Sequence, residues 1–403
     1  GGSMPSPGCV RGADAGSTPS RGVPQCREVV NRGRPPGDTS VTRAAAGSVA
    51  SSPAAAGSRG DFLAALAAEV PPGFWTMPAL VCCSGGADSV ALLVGLVRIA
   101  PRGAAERLVV VHAEHDLRAA AVEDRAFVAG LADRLGLRMT WRRLAVREAG
   151  HGPRGEGIEA RARRLRYEFF VDVAGDVGAR HAAVAHTADD QAETILQRML
   201  RGTGLAGLGG MKRARPLCAG VALVRPLLGM RRADVRAFLA AAGEAWREDE
   251  SNADVRPARN FLRHEVLSRC EAGPFPAAAA AIGRLGRQAD LVAGALASAA
   301  EHLLDTHSVR RAEGTIVVRT ADLATLDPHL VAEVFAALWR REGWPRRDMT
   351  ARHYARLARM AVDGGAAADL PGGVRVEADG CPERLRLGRV SVPIRGPGSR
   401  PAT

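Results

Sequence analysis

Four short candidate strands, Ala79–Cys83, Leu108–His112, Met139–Leu144 and Ala182–Ala185, alternate with longer stretches of helical period. The helical stretches are Val90–Ile99, Ala119–Leu135, Gly157–Val173 and Asp189–Arg201, with a shorter one ahead at Phe62–Glu69. The first, second and fourth are almost wholly apolar, with no polar face, so they suit strands buried on both sides. Strand–helix alternation at this spacing predicts an α/β fold, a parallel sheet flanked by helices. Such a sheet has a built-in address for a ligand, the crevice outside the carboxyl ends of its strands.

The organisation around that core follows from composition. Residues 1–59 contain no Leu, Ile, Phe, Trp or Tyr and are rich in Gly, Ser, Pro, Ala and Arg. Such a segment cannot bury enough apolar surface to offset the entropy of ordering, so a disordered leader is expected there. The parallel-sheet domain is expected over 60–264. A smaller, mainly helical domain follows over 265–390, with a short strand at Thr315–Val318 and a closing hairpin at Leu370–Leu387. Residues 391–403 form a tail.

No apolar run approaches the eighteen or so residues of a membrane helix, and no signal-peptide pattern is present. The seven cysteines follow no zinc spacing and include no C-x-x-C. Both observations point to a cytoplasmic protein with reduced thiols. The formal net charge is +12, which draws polyanions, RNA first among them. Nearly all of that charge is arginine, because Lys212 is the sole lysine.

Two stretches carry concentrated chemistry. Ser84-Gly85-Gly86-Ala87-Asp88-Ser89 joins the first strand to a helix. Its glycines let backbone N–H groups approach a phosphate, and the helix start favours negative charge. Ser84 and Ser89 add hydroxyl donors. Asp88 suits a cation such as Mg²⁺ on a pyrophosphate. No G-x-x-x-x-G-K-[ST] occurs, and Gly202–Gly207, which fits G-x-G-x-x-G, follows a helix and fails its context. The second stretch is "AHTADDQAET" (Ala185–Thr194). Thr187 with Asp190 makes a capping box. Asp189, Asp190 and Glu193 share a helical face and exceed what capping needs, so they are candidates to hold Mg²⁺ or an ammonium group.

Around these lie weaker signals. "GIEARARRLRYEFF" (Gly157–Phe170) is an amphipathic helix with Ile158, Leu165 and Phe169 expected inward. Glu159 and Arg163 form a surface ion pair or Arg163 reaches a nucleotide phosphate. Trp246–Val266 is a polar segment in which Arg259, Asn260 and Arg263 suggest a substrate-facing role. His112 and His115 are read as loop residues lining the nucleotide site.

The ordered set S-G-G-x-D-S, H-x-x-H-x-L-R, G-I-E-A-x-A-R-x-x-R-Y, A-H-x-x-D-D-Q-x-E-T, R-G-[ST]-G, R-P-L-L, W-x-x-D-x-S-N and R-N-x-x-R resembles the tRNA(Ile)-lysidine synthetases. These belong to the N-type ATP pyrophosphatases, or PP-loop proteins. The likeness runs from about Ala79 to Val266, and Glu114 and Asp116 depart from the family's usual residues. It implies an adenine nucleotide alpha-hydrolase-like fold with a tRNA-binding helical domain. It also implies a ligase that uses ATP and Mg²⁺ to adenylate C2 of the wobble cytidine of a CAU-anticodon tRNA(Ile). Free L-lysine then displaces AMP to form lysidine, and decoding changes from AUG to AUA.

Carried over, the resemblance assigns ATP to Ser84, Gly85, Gly86, Ala87, Asp88, Ser89, His112 and His186. Catalysis falls to Asp88, Arg163, Asp189, Asp190 and Glu193. Lysine or tRNA falls to Glu159, Arg201, Asn260 and Arg263, and Mg²⁺ to Asp88 and Asp189. A homodimer is left open. A PP-loop tRNA-thiolating enzyme is the alternative, though such enzymes usually need a persulfide cysteine or a C-x-x-C.

Overall fold

The computed structural model describes residues 59–115, 121–147, 156–248, 256–310 and 315–389. The expected leader, apart from Arg59, and the tail lie outside these residues. So do Asp116 and the Asp249, Ser251 and Asn252 of the W-x-x-D-x-S-N motif.

The first sheet has six strands: β1 (Ala79–Cys82), β2 (Leu108–His115), β3 (Arg138–Leu144), β4 (His181–Ala183), β5 (Ala214–Cys218) and β6 (Val221–Val224). Their order is β3-β2-β1-β4-β6-β5. All neighbours are parallel except the edge strand β5, which runs antiparallel to β6. The alternation in sequence therefore produces the parallel sheet it predicts. The hairpin β5–β6 was not legible in it, because a central apolar VALV run follows a polar edge strand with only Gly220 (φ +74°) marking the turn.

Among the described residues, the α-helices of this half are α1 (Arg59–Glu69), α2 (Ala87–Ile99), α3 (Ala121–Arg134), α4 (Ile158–Val177), α5 (Ala188–Leu200), α6 (Leu205–Leu208) and α7 (Arg232–Ala242). Strand side chains alternate between faces. Val81, Leu108 and Val110 pack on one side with Phe62, Leu66, Val90, Val128, Val235 and Phe238, from α1, α2, α3 and α7. Leu80, Val109 and Val111 pack on the other with Phe169, Phe170 and Val173 of α4. Both faces are covered at β1, β4 and the first half of β2, which explains why those strands read as unbroken apolar runs, whereas the outer strand β3 (RMTWRRL) keeps polar, partly exposed positions. Ile158 is a correction: it is 61% exposed, while Phe169 is buried and Leu165 is half-buried. It sits in the first turn of α4, where the apolar stripe has not yet met the sheet.

Beyond the sheet, α8 (Ala258–Phe261) runs through a π-helical turn (Leu262–Leu267) into α9 (Ser268–Ala272). The 30-residue α10 (Ala278–His307) then links the two halves. A Cβ on Gly286 would lie 2.4 Å from Ile195 Cδ1 and 3.1 Å from the Leu208 carbonyl oxygen. Glycine there lets α10 lie directly on α5 and α6. The far end of α10 enters a second core with α11 (Pro328–Arg341) and α12 (Ala351–Asp363), through Ala300 and Leu304.

That core also contains a five-stranded antiparallel sheet, β7 (Ser308–Arg310), β8 (Ile316–Arg319), β9 (Ala368–Leu370), β10 (Val374–Ala378) and β11 (Arg384–Arg389), ordered β7-β8-β11-β10-β9. The expected hairpin is β10–β11, and the expected strand is β8. The three-residue β7 and β9 are too short to show a period; they form by pairing on the edges of β8 and β10. No described helix is long and apolar enough to cross a membrane.

Candidate active site

The chain runs from β1 through β2 to β3 on one side, then returns to place β4 on the other side of β1. The carboxyl ends of β1 and β4 therefore flank the point where strand order reverses, which is the crevice expected to hold a ligand. The two concentrated motifs emerge there.

After β1 the chain turns tightly. Ser89 Oγ accepts from the N–H groups of Ser84 (3.1 Å) and Gly85 (3.2 Å), and donates to the Gly86 carbonyl (2.9 Å). The expectation that Ser89 adds a donor to a ligand is thereby modified, because its hydroxyl proton is used inside the turn. Gly85 has φ +96°, which an L side chain rarely adopts, and its carbonyl accepts from Arg247 N (2.9 Å). Helix α2 starts at Ala87, so its first N–H groups lack intrahelical acceptors and are available to an anion bound at the turn.

Asp88 sits in this first turn. Burial raises its carboxyl, nearby Arg232 offsets part of that, and Asp190 and Asp189 raise it again, to about 6. Its Oδ1 is buried without a hydrogen-bond partner among the described residues.

After β4, Thr187 caps α5. Asp190 Oδ2 accepts from the Thr187 N–H (2.8 Å) and hydroxyl (3.0 Å). Asp190 is thus a capping residue, and also more. Its Oδ1 accepts from Arg232 Nη2 (2.9 Å) and Arg259 Nη2 (2.9 Å). One turn on, Glu193 is 1% exposed and accepts from Arg259 Nε (2.7 Å) and Arg263 Nε (2.6 Å). Arg259 and Arg263 are four apart on one helical face. Burial raises the Asp190 carboxyl, but Arg259, Arg232 and the Thr187 N–H together hold it below the usual range. Asp189 Oδ2 accepts from the backbone N–H of Arg232 (2.7 Å).

Arg232 was not singled out from the sequence. It opens α7, and its guanidinium lies 3.5 Å from Asp88, 2.9 Å from Asp190 and 3.6 Å from Glu193. A cation at a helix start opposes the macrodipole, so the paired arginines Arg231 and Arg232 were a usable signal. Arg231 answers it locally by pairing with Asp234 (2.9 Å), and Arg232 answers it through the site.

Two neutral histidines lie beside the site, and His112, expected in a loop, is buried within β2. His112 Nδ1 lies 2.9 Å from the Cys83 carbonyl, which can only accept, so Nδ1 carries the proton and Nε2 is free to accept. Burial lowers the His112 pKa despite that bond. His186 Nδ1 accepts from Arg225 Nε (3.2 Å), leaving its proton on Nε2. Burial first, then Arg225, Arg259 and Arg163, outweigh Asp190 and depress it to about 4. Arg163 stacks over Tyr167 at 5.0 Å.

Among the other expected residues, Glu159 is exposed on the first turn of α4. Asn260 is half-buried on α8 between the two site arginines. Arg201 is exposed at the end of α5, about 18 Å along the helix from its start at 1.5 Å per residue. The fold thus brings Asp88, Asp189, Asp190, Glu193 and Arg263 together and leaves Arg201 apart.

No described group of three or more His, Cys, Asp or Glu forms a self-sufficient metal site. A Mg²⁺ ion held by one or two carboxylates and by substrate phosphates needs less. The unpartnered Asp88 Oδ1, with Asp189 beside it, fits that requirement.

Residues 68–270 match the PP-loop domain family. A tRNA(Ile)-lysidine synthase of Thermus thermophilus is 45% identical over 207 residues, 51% of this chain and 38% of that protein. One from Geobacter sulfurreducens is 44% identical over 218 residues, 53% of this chain and 44% of the relative. The chain therefore spans less than half the length of these two. One from Salinispora tropica is 38% identical over 309 residues, 74% of this chain and 87% of the relative. From the paired motifs at the switch point and a match that covers 74% of this chain and 87% of a relative, the chain belongs to the tRNA(Ile)-lysidine synthase family of PP-loop proteins.

Proposed function

We propose that the protein ligates lysine to C2 of the wobble cytidine of a CAU-anticodon tRNA(Ile), consuming ATP and releasing AMP and pyrophosphate. The observation that carries this reading is the juxtaposition at the switch point. The glycine turn after β1 lies beside a buried carboxylate pair after β4, with the Arg232 guanidinium within 3.6 Å of Asp88, Asp190 and Glu193. An anion cradle beside an amine-binding acid pair is what joining ATP chemistry to a lysine nucleophile requires.

In this reading the Ser84–Ser89 turn and the start of α2 hold the pyrophosphate that leaves. Mg²⁺, when bound at Asp88 and Asp189, supplies positive charge to that leaving group. The C2 oxygen of cytidine attacks the α-phosphorus, and the bond to the β-phosphate breaks. The lysine ε-amine then attacks C2, the bond from C2 to the adenylated oxygen breaks, and AMP departs. Asp190 and Glu193 orient the ammonium ends of lysine, and the attacking amine loses its proton to a nearby acceptor. His112 and His186, both neutral, contact the nucleotide through Nε2. Arg163 contacts the adenylated intermediate. Glu159, Arg201, Asn260 and Arg263 serve the tRNA and lysine side, with the second domain over 265–390 holding the tRNA. A cytoplasmic setting belongs to the same reading, and a homodimer is compatible with it.

Cys82 and Cys83, the cysteines next to the turn, do not favour thiolation: burial raises both thiols, which disfavours the thiolate a sulfur carrier needs.

The test is pyrophosphate release from ATP with free lysine and a CAU transcript of tRNA(Ile), against the same transcript with its wobble C changed to U. Release that needs ATP, lysine and the cytidine together is expected. Release that needs tRNA and ignores lysine would move thiolation ahead, and no release under any combination would overturn the reading.

A further inference from the structure

The acid cluster has a problem that its arginines create. Asp190 uses Oδ2 for Thr187 and Oδ1 for Arg232 and Arg259, so both oxygens are engaged. Glu193 receives Arg259 and Arg263 at hydrogen-bond distance, with Arg232 at 3.6 Å. Each carboxylate oxygen accommodates about two strong donors. All four acceptor positions of Asp190 are filled, Arg232 holding one of them, and Arg232 also lies over Glu193 Oε1, which among the described residues accepts one hydrogen bond, from Arg263 Nε. An incoming ammonium therefore meets the Arg232 guanidinium at both carboxylates.

The three arginines are not equivalent. Arg259 and Arg263 extend from α8 and the π-helical turn and pair with Asp190 and Glu193. Arg232 pairs with those two and also lies 3.5 Å from Asp88 in the phosphate turn. Its backbone is pinned by Asp189 (2.7 Å), so only its side chain has to turn. A polyphosphate in the turn brings several negative charges beside it, and a guanidinium fork matches phosphate oxygens in pairs.

We propose that Arg232 is a positioning residue that couples the two halves of the site: nucleotide phosphates draw its guanidinium off Asp190 and Glu193, and this opens the acid pair to lysine. The proposal rests on the lysine-ligation reading. It makes the nucleotide the first ligand and lysine a later one. By linkage, lysine strengthens nucleotide binding by the same factor.

The experiment is calorimetric titration of L-lysine into the full chain, with and without α,β-methylene-ATP and magnesium. For the unaltered protein the nucleotide tightens lysine binding by about tenfold, within the usual range of coupling between sites. In Arg232→Gln, lysine binds more tightly without nucleotide than it does to the unaltered protein, and the ratio falls to about one. Arg232→Lys keeps a charge without the fork, so its ratio lies between; it also serves if the Gln variant folds poorly. A purely structural role would weaken lysine binding in both states and leave the ratio alone.

A ratio of one in the unaltered protein, or an unchanged ratio in both variants, overturns the proposal and leaves the lysine-ligation reading standing. If nucleotide binds but lysine binds neither protein in either state, that reading fails and the proposal falls with it.

Discussion

Glu193→Gln is the substitution whose outcome the structure constrains most tightly. Glu193 is almost fully buried and is the acceptor for Arg259 Nε at 2.7 Å and for Arg263 Nε at 2.6 Å and Nη2 at 3.2 Å. Glutamine keeps the shape but offers one acceptor oxygen and turns an N–H₂ group toward a guanidinium. One or two charge-assisted hydrogen bonds are lost, each worth about 1.5–3 kcal/mol. The arginines are 22–34% exposed and Asp190 still holds them, so part of the loss is recovered. The expected net cost is about 2–4 kcal/mol, below the ~5 kcal/mol limit for breaking a fully buried pair.

For a unit of roughly 200 residues that lowers the melting temperature by about 4–16 °C. The assay is thermal and urea unfolding at pH 7.5, completed by a double-mutant cycle with Arg263→Met. Neighbours in one network should give a coupling energy of about 1–3 kcal/mol. A cost under about 0.5 kcal/mol, or strict additivity in the cycle, would refute the picture of Glu193 as the hub of the arginine cluster.

Asp88 gives a pH-dependent counterpart. Its folded pKa of about 6 lies above the ordinary aspartate value of 3.8, so the folded state favours the protonated form. The stability this contributes is complete below about pH 4 and is lost as pH rises through about 6. Asp88→Asn should therefore be more stable than the unaltered protein by about 1–3 kcal/mol at pH 7.5 and no more stable at pH 4, while losing pyrophosphate release; unfolding curves at both pH values check this. Gly85→Ala forces a side chain onto a backbone at φ +96°, with its Cβ 3.4 Å from Val128. It should lower nucleotide affinity at least tenfold and cost about 1–2 kcal/mol of stability, measured by nucleotide titration and melting. Gly286→Ala puts a methyl group into Ile195 and should lower the urea midpoint by an amount equivalent to about 1–3 kcal/mol, with α10 still helical by circular dichroism.

The strand–helix alternation, the turn at Ser84–Ser89 and the acids of "AHTADDQAET" were legible because each is a local statement. Period, turn chemistry and capping are written within a few residues. Thr187 and Asp190 even form the expected capping box. What Arg232 touches was not legible, because its partners Asp88, Asp190 and Glu193 come from two other elements, and a pair of arginines at a helix start signals an unusual charge but names none of them. Arg225 was legible as part of R-P-L-L but not as the donor to His186, 39 residues away. The same holds for β7 and β9, which are strands only because β8 and β10 offer them an edge.

By itself the sequence determined the kind of fold, the two candidate motifs and the order in which they occur. The tertiary structure decided which charges meet. Pairing energies in a buried site depend on distances between elements, and those distances come from how the sheet reverses its order between β1 and β4 and how α7 and α8 close over that point.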